Sequence, residues 1–247
     1  MLTPRLSVII PAYNEERRLP RTFAQLLPYL AARDYATEVI VVDDGSTDGT
    51  AGVVAGQGGG AVPVRLLGHE DERNHGKGAA VRRGMLAAAG AYRLFMDADN
   101  STSIDHVESF WPWFDQGYEV VIGSRDIAGA EIAIRQSRLK ELAGDLGNLF
   151  IRAMAVPGVY DTQAGFKMFT ARAAADVFPR LTLGRWGFDV EALAIALRHG
   201  YRVKELPITW RNDPESKVRA GAYLEVLKEV LQVRRNLRAG VYDQEGR

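Results

Sequence analysis

Short β-branched apolar runs alternate with longer amphipathic stretches through the first half of this chain, and that alternation limits the fold more than any other feature. LSVIIP (Leu6–Pro11), EVIVVDD (Glu38–Asp44), VPVRLLG, YRLFMD and YEVVIGSR read as five strands. Between them, Arg18 to about Ala32, Lys77 to Ala89 and Asp105 to Gln116 read as helices. A shorter helix capped by Ser46 or Thr47 with Asp48 runs to about Val54. Several of the strands are apolar on both faces, so helices must cover both sides of the sheet. The pattern predicts an α/β domain with a mostly parallel central sheet.

After about Arg125 the regular alternation fades. IAIRQSRLKELAGDLGNLFIRAM reads as loop and helix, GFKMFT as a short strand, and Ala171–Phe178 and Phe188–His199 as helices. RVKELPITW reads as one further strand, and Gly221 to Leu237 as a long final helix. No repeat or linker divides the 247 residues, which predicts a single domain.

Composition removes several classes of function. Lys plus Arg and Asp plus Glu are equal at 31 each, so no global charge points to nucleic acid. The absence of cysteine excludes disulfides, thiolate metal sites and a cysteine nucleophile. No apolar run approaches the roughly 18 residues of a spanning helix, and the N-terminus lacks a secretory pattern. A cytoplasmic protein is expected, with peripheral contact at the cytoplasmic membrane face left open.

Ligands of open α/β sheets collect outside the carboxyl ends of the strands. Polar residues recur at those ends: Tyr13–Asn14–Glu15, Asp43–Asp44–Gly45, Asp97 and Asp99, and Ser124–Arg125. Any one set has a bland reading as a helix cap or solvated turn. Four on one rim favour a site. Asp97-Ala98-Asp99 supplies two carboxylates that suit Mg²⁺ or Mn²⁺ shared with a ligand's phosphates.

Other chemistry fits less well. Gly76-Lys77-Gly78 lacks the Ser or Thr of a P-loop, and AGQGGG follows a helix where a dinucleotide fingerprint would follow a strand. NHGKGAAVRRG reads instead as a loop feeding a helix N-terminus, with Lys77 facing an anion. The four histidines share no ligand spacing, and no nucleophile elbow is present. Trp111 and Trp113 read as packing residues.

Taken together, SVIIPAYNEE, VIVVDDGSTDGT, NHGKGAAVRRG, MDADNST, VIGSR, DTQAGFKMF, RWGFDVE and the SKV that ends the Trp210–Val218 stretch resemble glycosyltransferase family 2, in family order over most of the chain. DTQAGFK, RWGFDVE and SKV are most similar to dolichyl- or polyprenyl-phosphate β-glucosyltransferases, with dolichyl-phosphate mannose synthases close behind. The resemblance implies a GT-A, Rossmann-like nucleotide-diphospho-sugar transferase fold. It implies a nucleotide-sugar half at 1–125, an acceptor half at 126–220 and a helix and tail at 221–247.

The resemblance also implies roles. Pro11, Tyr13, Glu15 and Asp44 would bind base and ribose, with Lys77 nearby on the nucleotide sugar. Asp97 and Asp99 would hold the donor, Asp99 being the leading ligand of Mg²⁺ or Mn²⁺. Arg125 and Arg138 would bind the acceptor phosphate, and Lys217 would close over phosphates. Asp161 and Asp189 match active-site carboxylates. The implied reaction is inverting transfer of a sugar, glucose from UDP-glucose, to a polyprenyl or dolichyl phosphate.

GDP-mannose as donor, a soluble acceptor such as a glycerate-type acid, and a non-catalytic nucleotide-sugar-binding protein are the alternatives. Relatives of the polyprenyl-phosphate class often carry spanning helices, and none is read here. The last helix, with Leu224, Leu227, Val230, Leu231 and Leu237 roughly on one face and Arg234, Arg235 and Arg238 nearby, has two readings. It lies on an anionic membrane, or it packs on the domain.

Overall fold

The structure, a computed structural model, describes residues 3–132, 147–211 and 221–243. Among these, seven strands form one sheet in the order β3-β2-β1-β4-β7-β5-β8. They are β1 (Leu6–Ala12), β2 (Thr37–Asp43), β3 (Val64–Gly68), β4 (Tyr92–Met96), β5 (Val120–Ser124), β7 (Phe166–Thr170) and β8 (Val203–Pro207). All pairings are parallel except those of β7, which runs antiparallel to both β4 and β5. The order reverses beside β1, so the crevice of the fold opens at the ends of β1 and β4.

Period-two alternation explains why the strands are apolar throughout. Ile9, Ile40 and Val42 enter one core, while Val8, Ile10, Val39 and Val41 enter the other. The second core is closed by α1 (Leu19–Ala31) and α4 (Val107–Asp115), through Phe23, Leu26, Phe110 and Trp111. Trp111 is thus a packing residue, edge-on to Tyr35 and Tyr92. The first core is closed by α3 (Lys77–Ala87), α6 (Ala171–Val177), α7 (Phe188–Arg198) and α8 (Gly221–Arg238). A short α2 (Thr50–Ala55) follows β2, and residues 147–154 form α5.

One expectation changes, and one open reading closes. RVKELPITW is not one strand: β8 stops at Pro207, and β9 (Thr209–Trp210) pairs with β6 (Glu131–Ile132) in a separate ribbon. The break lets Ile208 pack over Gly123, where a Cβ would collide with it. The last helix takes its packed reading. Val226, Val230 and Val233 of α8 are buried in the core, at the spacing of one helical face, while Leu231 points to solvent. Among the described residues no helix is long and apolar enough to cross a membrane.

Candidate active site

The site grows from strand ends that fall on one rim. Pro11 has no N–H to donate, and it sits beyond the β1–β4 ladder, whose register stops at Ile9 opposite Phe95. The AYNEE and DDGSTDGT segments are then stitched together. Asn14, held at φ 56°, accepts from Thr47 N at 2.8 Å, and its own N–H donates to Ser46 Oγ at 2.9 Å. Glu15 N donates to Thr50 Oγ1 at 2.8 Å, and Glu16 accepts from Gly49 N at 2.8 Å. Most polar residues of the two motifs thus shape one loop pair. Tyr13 is left on its exposed side, while Glu15 is buried beside Arg18 at 3.4 Å.

Asp44 is buried, and its carboxylate accepts from His75 N and Gly76 N, each at 2.8 Å. His69 Nε2 lies 3.1 Å from the same group. Asp44 therefore anchors the loop before α3, where Gly76 takes a φ of 99° that favours glycine. Two N–H groups of the first turn of α3 are taken up within the fold. Gly78 N and Ala79 N donate to the carbonyls of Arg185 and Gly184 at 3.2 and 3.0 Å. Lys77 instead reaches Asp97, Nζ to Oδ1 at 2.5 Å.

That contact opens a chain of alternating charges. Burial would lower the Lys77 ammonium, but Asp97 and Asp189, with Asp99, hold it above its ordinary value. Asp189 begins α7 and meets Lys167 of β7 at 2.7 Å, both side chains being almost fully buried. Burial pushes the Asp189 carboxyl up against the opposing pull of Lys167 and Lys77. Lys167 also donates to the Ala164 carbonyl at 2.5 Å. Gly165 is required beside it, since a Cβ there would overlap the Asp97 carboxylate.

Asp99 is raised, first by burial and then by the neighbouring Asp97, against the Ser101 N–H that it accepts at 2.9 Å. Two carboxylates thus press on each other, with one ammonium bound to Asp97. Among the described residues no group of three or more acidic or histidine side chains gathers as a metal cage. Two carboxylates at an open rim fit a magnesium- or manganese-type ion that takes its other ligands from water and a diphosphate.

Across the rim, Arg125 at the end of β5 binds Asp161 through Nε at 2.7 Å and Nη2 at 2.9 Å, and its backbone N donates at 3.0 Å. Asp161 is fully buried and also accepts from Gln163 N and Ala164 N, each at 3.1 Å. Burial alone would raise Asp161, but the charge of Arg125, its side-chain and backbone hydrogen bonds and the charge of Lys167 bring it down to about 2. Burial would lower Arg125, and Asp161 reverses this. The guanidinium lies 5.3 Å from the Trp210 ring centroid.

The rim therefore brings together Asp97, Asp99, Lys77 and Asp189 in one linked cluster and Arg125 with Asp161 in another. Arg138 and Lys217 lie outside the described residues. The sequence reading passed over Lys167, although a lysine inside the apolar run GFKMF was a visible signal. It also passed over Glu205, which accepts from Tyr160 N at 2.8 Å and Asp161 N at 2.9 Å and so fixes the Asp161 turn. Glu191 of RWGFDVE is structural: it accepts from Thr182, Leu183 N and the Tyr242 hydroxyl.

A sheet switching direction at β1, with a D-x-D pair at the end of β4 and a buried arginine–carboxylate pair at the end of β5, has the form of a GT-A glycosyltransferase. Residues 7–178 match the model of glycosyl transferase family 2, and the chain belongs to that family. It is 32% identical to the dolichyl-phosphate β-glucosyltransferase of Dictyostelium discoideum, covering 96% of this chain and 76% of that protein. Identity to the Homo sapiens protein of the same name is 35%, over 97% and 78% of the two chains. Among solved structures, glucosyl-3-phosphoglycerate synthase from Mycobacterium tuberculosis with UDP aligns with a TM-score of 0.65 at 19% identity, over 96% of this chain and 80% of that one. The same enzyme with Mn²⁺, UDP-glucose and phosphoglyceric acid aligns at 0.64, with 22% identity over 94% and 79%.

Proposed function

We propose that the chain transfers glucose from UDP-glucose to the phosphate of a polyprenyl or dolichyl phosphate, with inversion. The observation that carries the reading is the Arg125–Asp161 pair, a half-buried cation held by a buried carboxylate within the field of Asp97, in a chain whose relatives bear the dolichyl-phosphate β-glucosyltransferase name over nearly its full length. In this reading Pro11, Tyr13, Glu15 and Asp44 frame the pocket for the uracil and ribose, Asp44 by ordering the loop through Gly76. Asp97 and Asp99 would hold Mg²⁺ or Mn²⁺, whose charge would stabilise the diphosphate leaving group.

Arg125 orients the acceptor phosphate, and Asp161 keeps the guanidinium in place. The bond from the sugar's anomeric carbon to the diphosphate oxygen breaks, with its electron pair leaving on UDP. An acceptor phosphate oxygen forms the new bond from the opposite face. A phosphate monoester is already largely ionised near neutral pH, so no strong base is needed. Asp161 then serves as a positioning group. Lys77 and Asp189 set the charge around the donor phosphates. Arg138 and Lys217 join the acceptor and donor phosphates in the same scheme, and the surface beside Arg125 meets the membrane interface.

Purified protein with Mg²⁺ or Mn²⁺, labelled UDP-glucose and a polyprenyl phosphate should yield a lipid-extractable glucosyl product. Labelling only from GDP-mannose would move the donor to mannose. Labelling only of 3-phosphoglycerate would move the acceptor to a soluble acid.

A further inference from the structure

Leu149 and Tyr160 are the two most exposed large apolar side chains among the described residues, at 54% and 50%. Isolated exposed leucines and tyrosines are ordinary on a protein surface. These two are joined by an arginine. Leu149 and Arg152 lie three residues apart on α5 and share a helix face. The Arg152 guanidinium lies 4.7 Å from the Tyr160 ring centroid, and its Nε is buried without a hydrogen-bond partner. An arginine with an unpartnered guanidinium nitrogen thus packs on one of these solvent-facing groups and shares a helix face with the other.

The patch is tied directly to the acceptor side of the rim. Tyr160 precedes Asp161, the partner of Arg125, and Glu205 holds both backbone N–H groups so that the aspartate points inward and the tyrosine outward. Asn148, next to Leu149, donates to Asp126, next to Arg125, at 2.5 Å. Resting on the acceptor reading above, we propose that Leu149, Arg152 and Tyr160 seat the first isoprene units of the acceptor as its phosphate meets Arg125. The chemistry suits an anionic head continued by a hydrocarbon tail: a guanidinium at the head, a leucine and an amphipathic ring along the tail. A small phosphorylated acid would leave both apolar side chains bare.

The test compares the wild type with the Leu149→Ser/Tyr160→Ser variant on two acceptors, a long-chain polyprenyl phosphate in detergent and methyl phosphate, a short acceptor that carries the head without any isoprene unit. Both side chains are exposed, so the fold should tolerate the change, and thermal unfolding checks this. Leu86→Ser, at the exposed far end of α3, is the control. The double variant should raise KM for the long acceptor about tenfold, the equivalent of one partly buried side chain. Its kcat, and its KM for the short acceptor, should stay near wild type. Equal effects on both acceptors, or none on either, overturn the tail seat while leaving the acceptor reading intact. A wild type that does not glucosylate the long-chain polyprenyl phosphate overturns both.

Discussion

The Lys77 ammonium lies 2.5 Å from the Asp97 carboxylate, with Asp189 and Asp99 adding to the field that holds it. Lys77 thus supplies one positive charge where the proposed divalent ion would bind. A competing cation weakens metal binding by its charge alone, and one removed from a few ångströms away is worth about tenfold or more in a partly buried site. Lys77→Met should therefore bind Mn²⁺ alone about tenfold more tightly, as read from the free-ion EPR signal. Binding of UDP-glucose with the metal should weaken, because the lysine no longer meets the diphosphate. Unchanged Mn²⁺ affinity would show that the two cations do not compete.

The Arg125–Asp161 pair predicts an acid limb of stability. The folded Asp161 titrates at about 2, below the ordinary carboxylate value near 3.9. A depressed folded value means that the ionised group favours the fold, fully so above the unfolded pKa and progressively less as pH falls toward the folded one. In urea unfolding, wild type should exceed Asp161→Asn by about 2 kcal/mol at pH 6, and the difference should shrink between about pH 4 and pH 2. A pH-independent difference would remove the ion pair as its cause. Arg125→Lys, which cannot reproduce the two-pronged contact, should lower kcat/KM for the acceptor more than for the donor.

Lys167 and Asp189 form a buried pair whose members are costly apart. Removing one partner strands the other charge, a loss of about 3–5 kcal/mol, whereas replacing both with apolar groups can be nearly neutral. Lys167→Met and Asp189→Leu should each be strongly destabilised, and the double variant substantially less so. Additive losses in denaturant titrations would mean that the two side chains act independently. If the pair serves the site as well as the fold, the double variant should regain stability without regaining turnover.

The sheet was legible because both-face burial leaves an unbroken apolar run, as in Val39–Val42, and because each run ends at a turn signal. The antiparallel direction of β7 was not, since GFKMFT carries the same side-chain alternation whichever way the chain runs. Residues at strand ends were legible as a rim: Asp97, Asp99 and Arg125 announce themselves by polarity after an apolar run. What polarity cannot reveal is the partner. Nothing in the spacing of Asp44 says that it accepts from His75 and Gly76, or in that of Lys77 that it turns toward Asp97. Lys167 and Glu205 lie within strands whose apolar neighbours speak for packing, yet a charge there must have a partner.

Asp99 gives the prediction that most directly separates a metal ligand from a structural turn. Its carboxyl is pushed above the ordinary range by burial and by Asp97, so its ionised form opposes the fold. The fold therefore gains as pH falls through the raised value and loses as pH rises through it. Asp99→Asn keeps an oxygen to accept from Ser101 N while removing the charge. At pH 8 without metal the variant should melt higher than wild type by about 2–4 °C, with the gap closing as pH falls. With Mn²⁺ and UDP present the order should reverse, because ligands that bind the native state raise its melting temperature in proportion to affinity and the variant has lost the leading ligand. A variant that melts lower without metal, yet gains as much as wild type from Mn²⁺ and UDP, would assign Asp99 to the turn and remove it from the metal site.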